Sequence, residues 1–132
     1  MATDTLPSSE LESRIARIGA VDIVVGVPSY NNARTIGHVV RAVHAGIAKF
    51  FPDCASLIVN SDGGSTDGTQ EIVQNVAPDD HRTLLARYPV YPVHRIVTPY
   101  HGIPGKGSAL RTVFQIADSL GARACAVVDA DL

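Results

Sequence analysis

The feature that most constrains this chain is a rhythm. Four short runs rich in β-branched residues recur along it: "VDIVVGV" (Val21 to Val27), "SLIVN" (Ser56 to Asn60), "HRIVT" (His94 to Thr98) and "ACAVVD" (Ala124 to Asp129). Each is apolar at most successive positions, which suits strands covered on both faces, as in a parallel sheet; a strand facing water would alternate. Helical stripes separate them. Ile36, Val39, Val40, Val43, Ile47 and Phe50 form one, Ile72, Val73 and Val76 a shorter one, and Leu110, Val113, Phe114, Ala117 and Leu120 a third. The order β-α-β-α-β-α-β calls for an α/β fold with a parallel sheet and right-handed crossovers.

Local signals mark the ends of these elements. Asn31 or Asn32, and Ser65 or Asp67, are candidate N-caps for the first two helices, and Gly121 is a stop for the third. Ahead of the first strand, "SSELESRIARIGA" pairs Ser9 with Glu12 in capping-box spacing and sets Leu11, Ile15 and Ile18 on one face. Residues 1–20 therefore form a helical lead to a domain spanning 21–132. The segment "APDDHRTLLARYPVYPV" breaks the rhythm with three prolines and reads as a surface excursion.

Composition narrows the partners. A net charge of -2, with 18% charged and 45% apolar residues, indicates neither a polyanion-binding surface nor a disordered chain. Nucleic acid is not an expected partner. The longest apolar runs fall well short of the ~20 residues of a membrane-spanning helix, and the first residues lack the pattern of a secretory leader. The expectation is a soluble, cytoplasmic protein.

Every strand is followed by an unusual loop: "PSYNN", "SDGGSTDGT", "PYHGIPGKG" and "DAD". In a parallel sheet the C-terminal strand ends share one edge, and ligands bind in the crevice beyond it. In "DAD", Asp129 and Asp131 point the same way if extended geometry persists, and two hard carboxylates suit Mg2+ or Mn2+ with positions left for phosphate oxygens and water. The plain alternative is a pair of solvated loop acids. In "SDGGSTDGT", Gly63 and Gly64 permit positive φ and close backbone approach before a helix N-terminus, although an ordinary strand-to-helix turn would look the same. The spacing is not that of a dinucleotide fingerprint. Lys106 stands between two glycines just before a helix, placed to meet a diphosphate, or simply exposed on a loop; Gly107 in place of Ser or Thr excludes a Walker A motif. Pro28 ends the first strand, and Tyr30 can lie beside a nucleobase or merely pack.

Cys54 and Cys125 form no C-x-x-C pair and read as buried, reduced thiols. His38 and His44 are six apart, which is not an i, i+4 ligand pair, and with His81 they read as surface residues. His94 begins a strand. His101 lies beside the lysine loop but is not expected to be catalytic.

Taken together, "VVGVPSYNN", "LIVNSDGGSTDGT", "GIPGKGSALRTVF" and "AVVDADL" resemble the donor-binding half of a GT-A glycosyltransferase of the large family 2 type. The G-K-G loop leading into a helix ahead of D-x-D is similar to that of glucosyl-3-phosphoglycerate and mannosyl-3-phosphoglycerate synthases. The resemblance runs from Val21 to Leu132 and implies a Rossmann-like sheet and a hexosyltransferase using a UDP- or GDP-sugar. It implies that Pro28, Ser29, Tyr30 and Asn32 line the base and ribose pocket, and that Asp62 is the first acid of the D-D-G-S-T turn. Lys106 falls near the diphosphate, Asp129 near the ribose or metal, and Asp131 on the metal. The second acid of the usual turn is Gly63 here, so a base contact at that point is expected from backbone.

No base for an acceptor hydroxyl can be assigned, and such a group lies downstream of D-x-D in this family. The expectation is therefore a fragment truncated after that motif, inactive alone, with an uncovered sheet face that favours self-association. Two other functions share parts of this pattern. A sugar nucleotidyltransferase would carry an early glycine-rich loop, which "PSYNN" lacks, and a non-catalytic nucleotide-binding module would not need Asp131 for affinity.

Overall fold

The computed structural model describes residues 8–76, 91–100 and 105–131. Helix α1 (Ser8–Ile18) precedes β1 (Ile23–Ser29), α2 (Ile36–Phe50), β2 (Ser56–Asp62), α3 (Thr69–Asn75), β3 (Val93–Pro99), α4 (Lys106–Ser119) and β4 (Ala124–Val127). The four strands form one sheet in the order β3-β2-β1-β4, and every pair is parallel. The expected α/β parallel sheet is present. His81, His101 and residues 77–90 of the expected excursion lie outside the described residues.

The two-residue side-chain period of the strands divides the core between the sheet's faces. Val25, Val27, Ile58 and Val97 meet Ile36, Val39, Val40 and Ile47 of α2 and Val73 of α3. Val24, Leu57, Val59 and Ile96 meet Val113, Ile116, Ala117 and Leu120 of α4, with Leu11, Ile15 and Ile18 of α1 beside them. Full burial of each such side chain is worth ~1.5–3 kcal/mol, so these two clusters are the main stabilising term. Gly26 is where α4 comes closest: a Cβ there would stand 2.5 Å from Val113 Cγ1.

Several details differ from expectation. In α4 the buried face runs through Ala109, Thr112, Val113, Ile116 and Ala117, while Phe114 is 50% exposed and Leu110 is half-buried. The small Ala109 and Ala117, rather than the bulky residues, let this helix approach the strands. Phe50 is exposed at the end of α2, with the Lys49 ammonium 5.2 Å from its ring centre. His44, expected at the surface, is buried on the α2 face that carries Val40 and Ile47. Cys125 is exposed and Cys54 half-buried, both as free thiols. All four residues of the edge strand β4 are exposed, against the expectation of a strand covered on both faces, whereas the other edge strand, β3, is buried at Ile96, Val97 and Thr98. The strand also ends at Val127, two residues short of Asp129.

The caps differ too. Thr35 and Gly68 occupy the N-cap positions of α2 and α3, without side-chain capping bonds. Helix α1 starts at Ser8, so Ser9 lies inside its first turn. Gly121 does stop α4. At φ +66 it donates its N–H to the Asp118 carbonyl while Ala122 donates to that of Ala117, a Schellman pair.

Candidate functional site

The loops after β1 and β2 are laced together at the C-terminal edge of the sheet. The Gly63 N–H donates to the Ser29 carbonyl at 2.9 Å. Asn31, at φ +53, donates its N–H to Ser65 Oγ (2.8 Å), and its side-chain oxygen accepts from the Thr66 N–H (2.9 Å). The Asn32 N–H reaches Thr69 Oγ1, and the Ala33 N–H reaches Asp67 Oδ2. The candidate cap residues thus serve as cross-links between loops. Asn and Asp are suited to this because their short polar side chains compete well for nearby backbone groups. Asn32 Oδ1 also accepts from the Tyr30 N–H at 2.8 Å.

Asp62 is fully buried beneath this lattice. Its Oδ1 accepts from Ser29 Oγ (2.7 Å) and Ser65 Oγ (2.6 Å), and its Oδ2 from the N–H groups of Gly64 and Ser65 and from Gln70 Nε2. Burial alone would raise its pKa. The bonds from the Ser65 side chain and N–H, then Ser29 and Gln70, outweigh burial and hold the carboxyl below its ordinary value. Asn60, also fully buried, donates to the Val27 carbonyl and to Ser29 Oγ, extending the network under β1. Asp62 therefore ties the turn together and does not line the cavity above it.

That cavity holds about 560 Å³ and is bordered by Pro28, Ser29, Tyr30 and Asn32 on one side and by Gly63 and Tyr100 on another. Gly105, Lys106 and Ala109 of the α4 entrance and Asp129, Ala130 and Asp131 close it. Helix α2 leaves β1 toward one face of the sheet, while α4 delivers β4 to the other side of β1. The cavity thus sits at a topological switch point, where open α/β sheets bind ligands. Of the residues that the resemblance places in the site, all but Asp62 border it.

Strand geometry does not persist through D-x-D. Asp129 and Asp131 nevertheless reach one cavity because Ala130 between them is buried in the α2 core cluster and its carbonyl accepts the Thr35 hydroxyl at 2.6 Å. Both aspartates are exposed. Lys106 Nζ lies 3.1 Å from Asp129 Oδ1. Among the described residues no third Asp, Glu, His or Cys joins the two aspartates as a ligand set. A hard cation held here would depend on phosphate oxygens and water for its remaining ligands, and the donor chemistry fits Mg2+ or Mn2+ on those terms.

Two participants were not legible as site residues. Thr35 carried only its place before a helical stripe. Tyr100 carries only its place after a strand, yet its hydroxyl accepts the Gly105 N–H at 3.1 Å and lies over Gly63. Of the glycines at the β2 turn, Gly64 and Gly68 have positive φ, whereas Gly63 provides close approach.

No family model matches the chain. Among curated proteins it is similar to "Glycosyltransferase AglD" of Haloferax volcanii, with 29% identity over 111 residues. That stretch takes in 83% of this chain and 16% of the relative, so the chain corresponds to a small part of that protein's length. Among the described residues, no helix is long and apolar enough to cross a membrane.

Proposed function

We propose that this chain is the donor-binding part of a glycosyltransferase, taking a nucleoside-diphosphate sugar of UDP or GDP type in the cavity at the sheet edge. The observation that carries this reading is the gathering of Lys106, Asp129 and Asp131 on one cavity with Pro28, Tyr30 and Gly63. The cation and two carboxylates suit a diphosphate and its metal, and the aromatic ring and bare backbone that border the same cavity suit a flat base. The similarity to a glycosyltransferase supports the reaction class.

In this reading Tyr30 and the Gly63 backbone receive the base, and Ser29 and Asn32 border the ribose. Lys106, at the first residue of α4, meets the diphosphate together with the N-terminal N–H groups of that helix. Asp131, with Asp129, would hold Mg2+ or Mn2+, which when bound would supply positive charge to offset the negative charge that builds on the departing diphosphate. During transfer the bond from the sugar's anomeric carbon to the diphosphate breaks with its electron pair leaving on the diphosphate oxygen, and one to the acceptor oxygen forms as that hydroxyl's proton passes to solvent. Lys106 then stabilises the leaving group without exchanging a proton.

Isothermal titration with UDP and GDP, each with and without Mn2+, tests the reading. Metal-dependent binding of either nucleotide is expected, and no binding by a folded sample would count against it. The exposed edge strand β4 is also expected to support self-association, seen as mass rising with concentration in light scattering.

A further inference from the structure

Gly63 is half-buried at the cavity wall, and the space beside its Cα is taken by two tyrosines. A Cβ built on Gly63 would lie 2.6 Å from the Tyr100 hydroxyl oxygen and 3.1 Å from Tyr100 Cζ, and 3.3 Å from Tyr30 Cδ1. Real Cβ contacts do not reach the first of these distances, so the Tyr100 phenol occupies the place into which any side chain at position 63 would project. Tyr30 and Tyr100 both border the cavity. Tyr100 is fixed at two points: its N–H donates to the Asp62 carbonyl at 3.1 Å, and its hydroxyl oxygen accepts the Gly105 N–H at 3.1 Å.

A phenol hydroxyl carries one proton to donate and one effective acceptor lone pair, because the other is delocalised into the ring. The Gly105 N–H uses that lone pair, and among the described residues no group accepts the proton. The hydroxyl thus stands beside Gly63 and Tyr30 at the cavity wall. The expectation that a base contact here comes from backbone alone therefore misses a side chain delivered from another strand.

We infer that Tyr100 is the base-specificity residue of this cavity, donating its hydroxyl proton to an exocyclic carbonyl of the bound base. The inference rests on the donor-site reading above. The carbonyl in question is that at C4 of uracil or C6 of guanine; cytosine and adenine carry an amino group at those positions, and two donors then face each other without an acceptor. Sites that hydrogen-bond a substrate group discriminate strongly against analogues that leave the protein's polar group unpaired.

The test is titration of the full chain and of Tyr100→Phe with UDP, GDP, CDP and ADP in Mn2+, with circular dichroism confirming that both are folded. The wild type is expected to bind UDP or GDP about tenfold or more tightly than CDP and ADP, the effect of one well-placed hydrogen bond. Tyr100→Phe is expected to bring the four within about threefold by weakening only the carbonyl-bearing nucleotide. A preference that survives in Tyr100→Phe overturns the assignment. So does an equal loss for all four, which would make Tyr100 a positioning residue, or a wild-type preference for CDP or ADP. Absence of binding by any of the four to folded wild type would instead overturn the donor-site reading itself.

Discussion

Lys106 and Asp129 are 23 residues apart in the chain, and their side chains meet at 3.1 Å across the mouth of the cavity. Both are well exposed, and such pairs contribute only ~0–1 kcal/mol to stability. Lys106→Ala is therefore expected to leave the melting temperature nearly unchanged while weakening Mn2+-dependent UDP or GDP binding by about tenfold or more, the scale of a lost charge-assisted bond. Calorimetric titration beside a thermal melt separates the two effects. A lower melting temperature with intact affinity would assign Lys106 to the scaffold.

Asp131→Ala is expected to abolish the difference between nucleotide binding with and without Mn2+, leaving the metal-free affinity as it was. Among the described residues Asp131 takes part in no ion pair, and its turn is held through the Thr35 hydroxyl on Ala130, so the fold should not respond. Retention of metal dependence in this variant would remove Asp131 from the metal site.

Asp62→Asn replaces an acceptor that is surrounded by donors with a group bearing two N–H bonds. The expected cost is ~2–4 kcal/mol, read from urea melts at neutral pH. The pH dependence has a definite sign. Because the folded state holds the Asp62 carboxyl below its ordinary value of 3.8, the unfolded chain binds the extra proton first. The stabilisation is thus complete above that value and fades as pH falls through the folded-state pKa. The gap between wild type and Asp62→Asn should narrow over the same acidic range, and a gap independent of pH would contradict this account.

Gly26→Ala places a methyl group 2.5 Å from Val113 Cγ1 and 2.7 Å from Cγ2, so α4 must move or Val113 must change rotamer. Overpacking of this kind costs ~1–3 kcal/mol. Val113→Ala alone is destabilising because it opens a cavity, but in the double variant the two changes should partly cancel. A double-mutant cycle on denaturant melts gives the coupling, and strict additivity would mean that the helix is free to shift.

The sheet was readable because burial on both faces leaves a simple mark: "LIV" within β2 is apolar at every position, and only a two-sided strand needs that. The α4 face was misjudged because size was taken for burial. Val113 packs over a glycine and Ala109 and Ala117 over strands, so the small residues turn inward and Phe114 outward. The candidate site was legible as a set of loops, since parallel topology brings strand ends together whatever their spacing in sequence. What lay beyond reach was the use of each polar group. Nothing local distinguishes a carboxylate that faces solvent, as Asp129 does, from one buried under donors, as Asp62 is. Nor does sequence reveal that the gap left at Gly63 is filled from β3 by Tyr100. The Ser29 bond to Asp62 and the Tyr100 contact with Gly63 join segments more than thirty residues apart, and periodicity is silent about them.

The register of β4 on β1, from Ile23 opposite Ala124 to Gly26 opposite Val127, also sets an order of assembly. The β1–β2 side of the cavity closes a loop of roughly thirty residues, whereas the aspartate side must close one of roughly a hundred, at greater entropic cost. A chain emerging from the ribosome can join Tyr30 to Gly63 long before Asp129 and Asp131 have been synthesised. The aspartate side of the cavity thus forms after the Tyr30–Gly63 side, only once β4 has docked on β1.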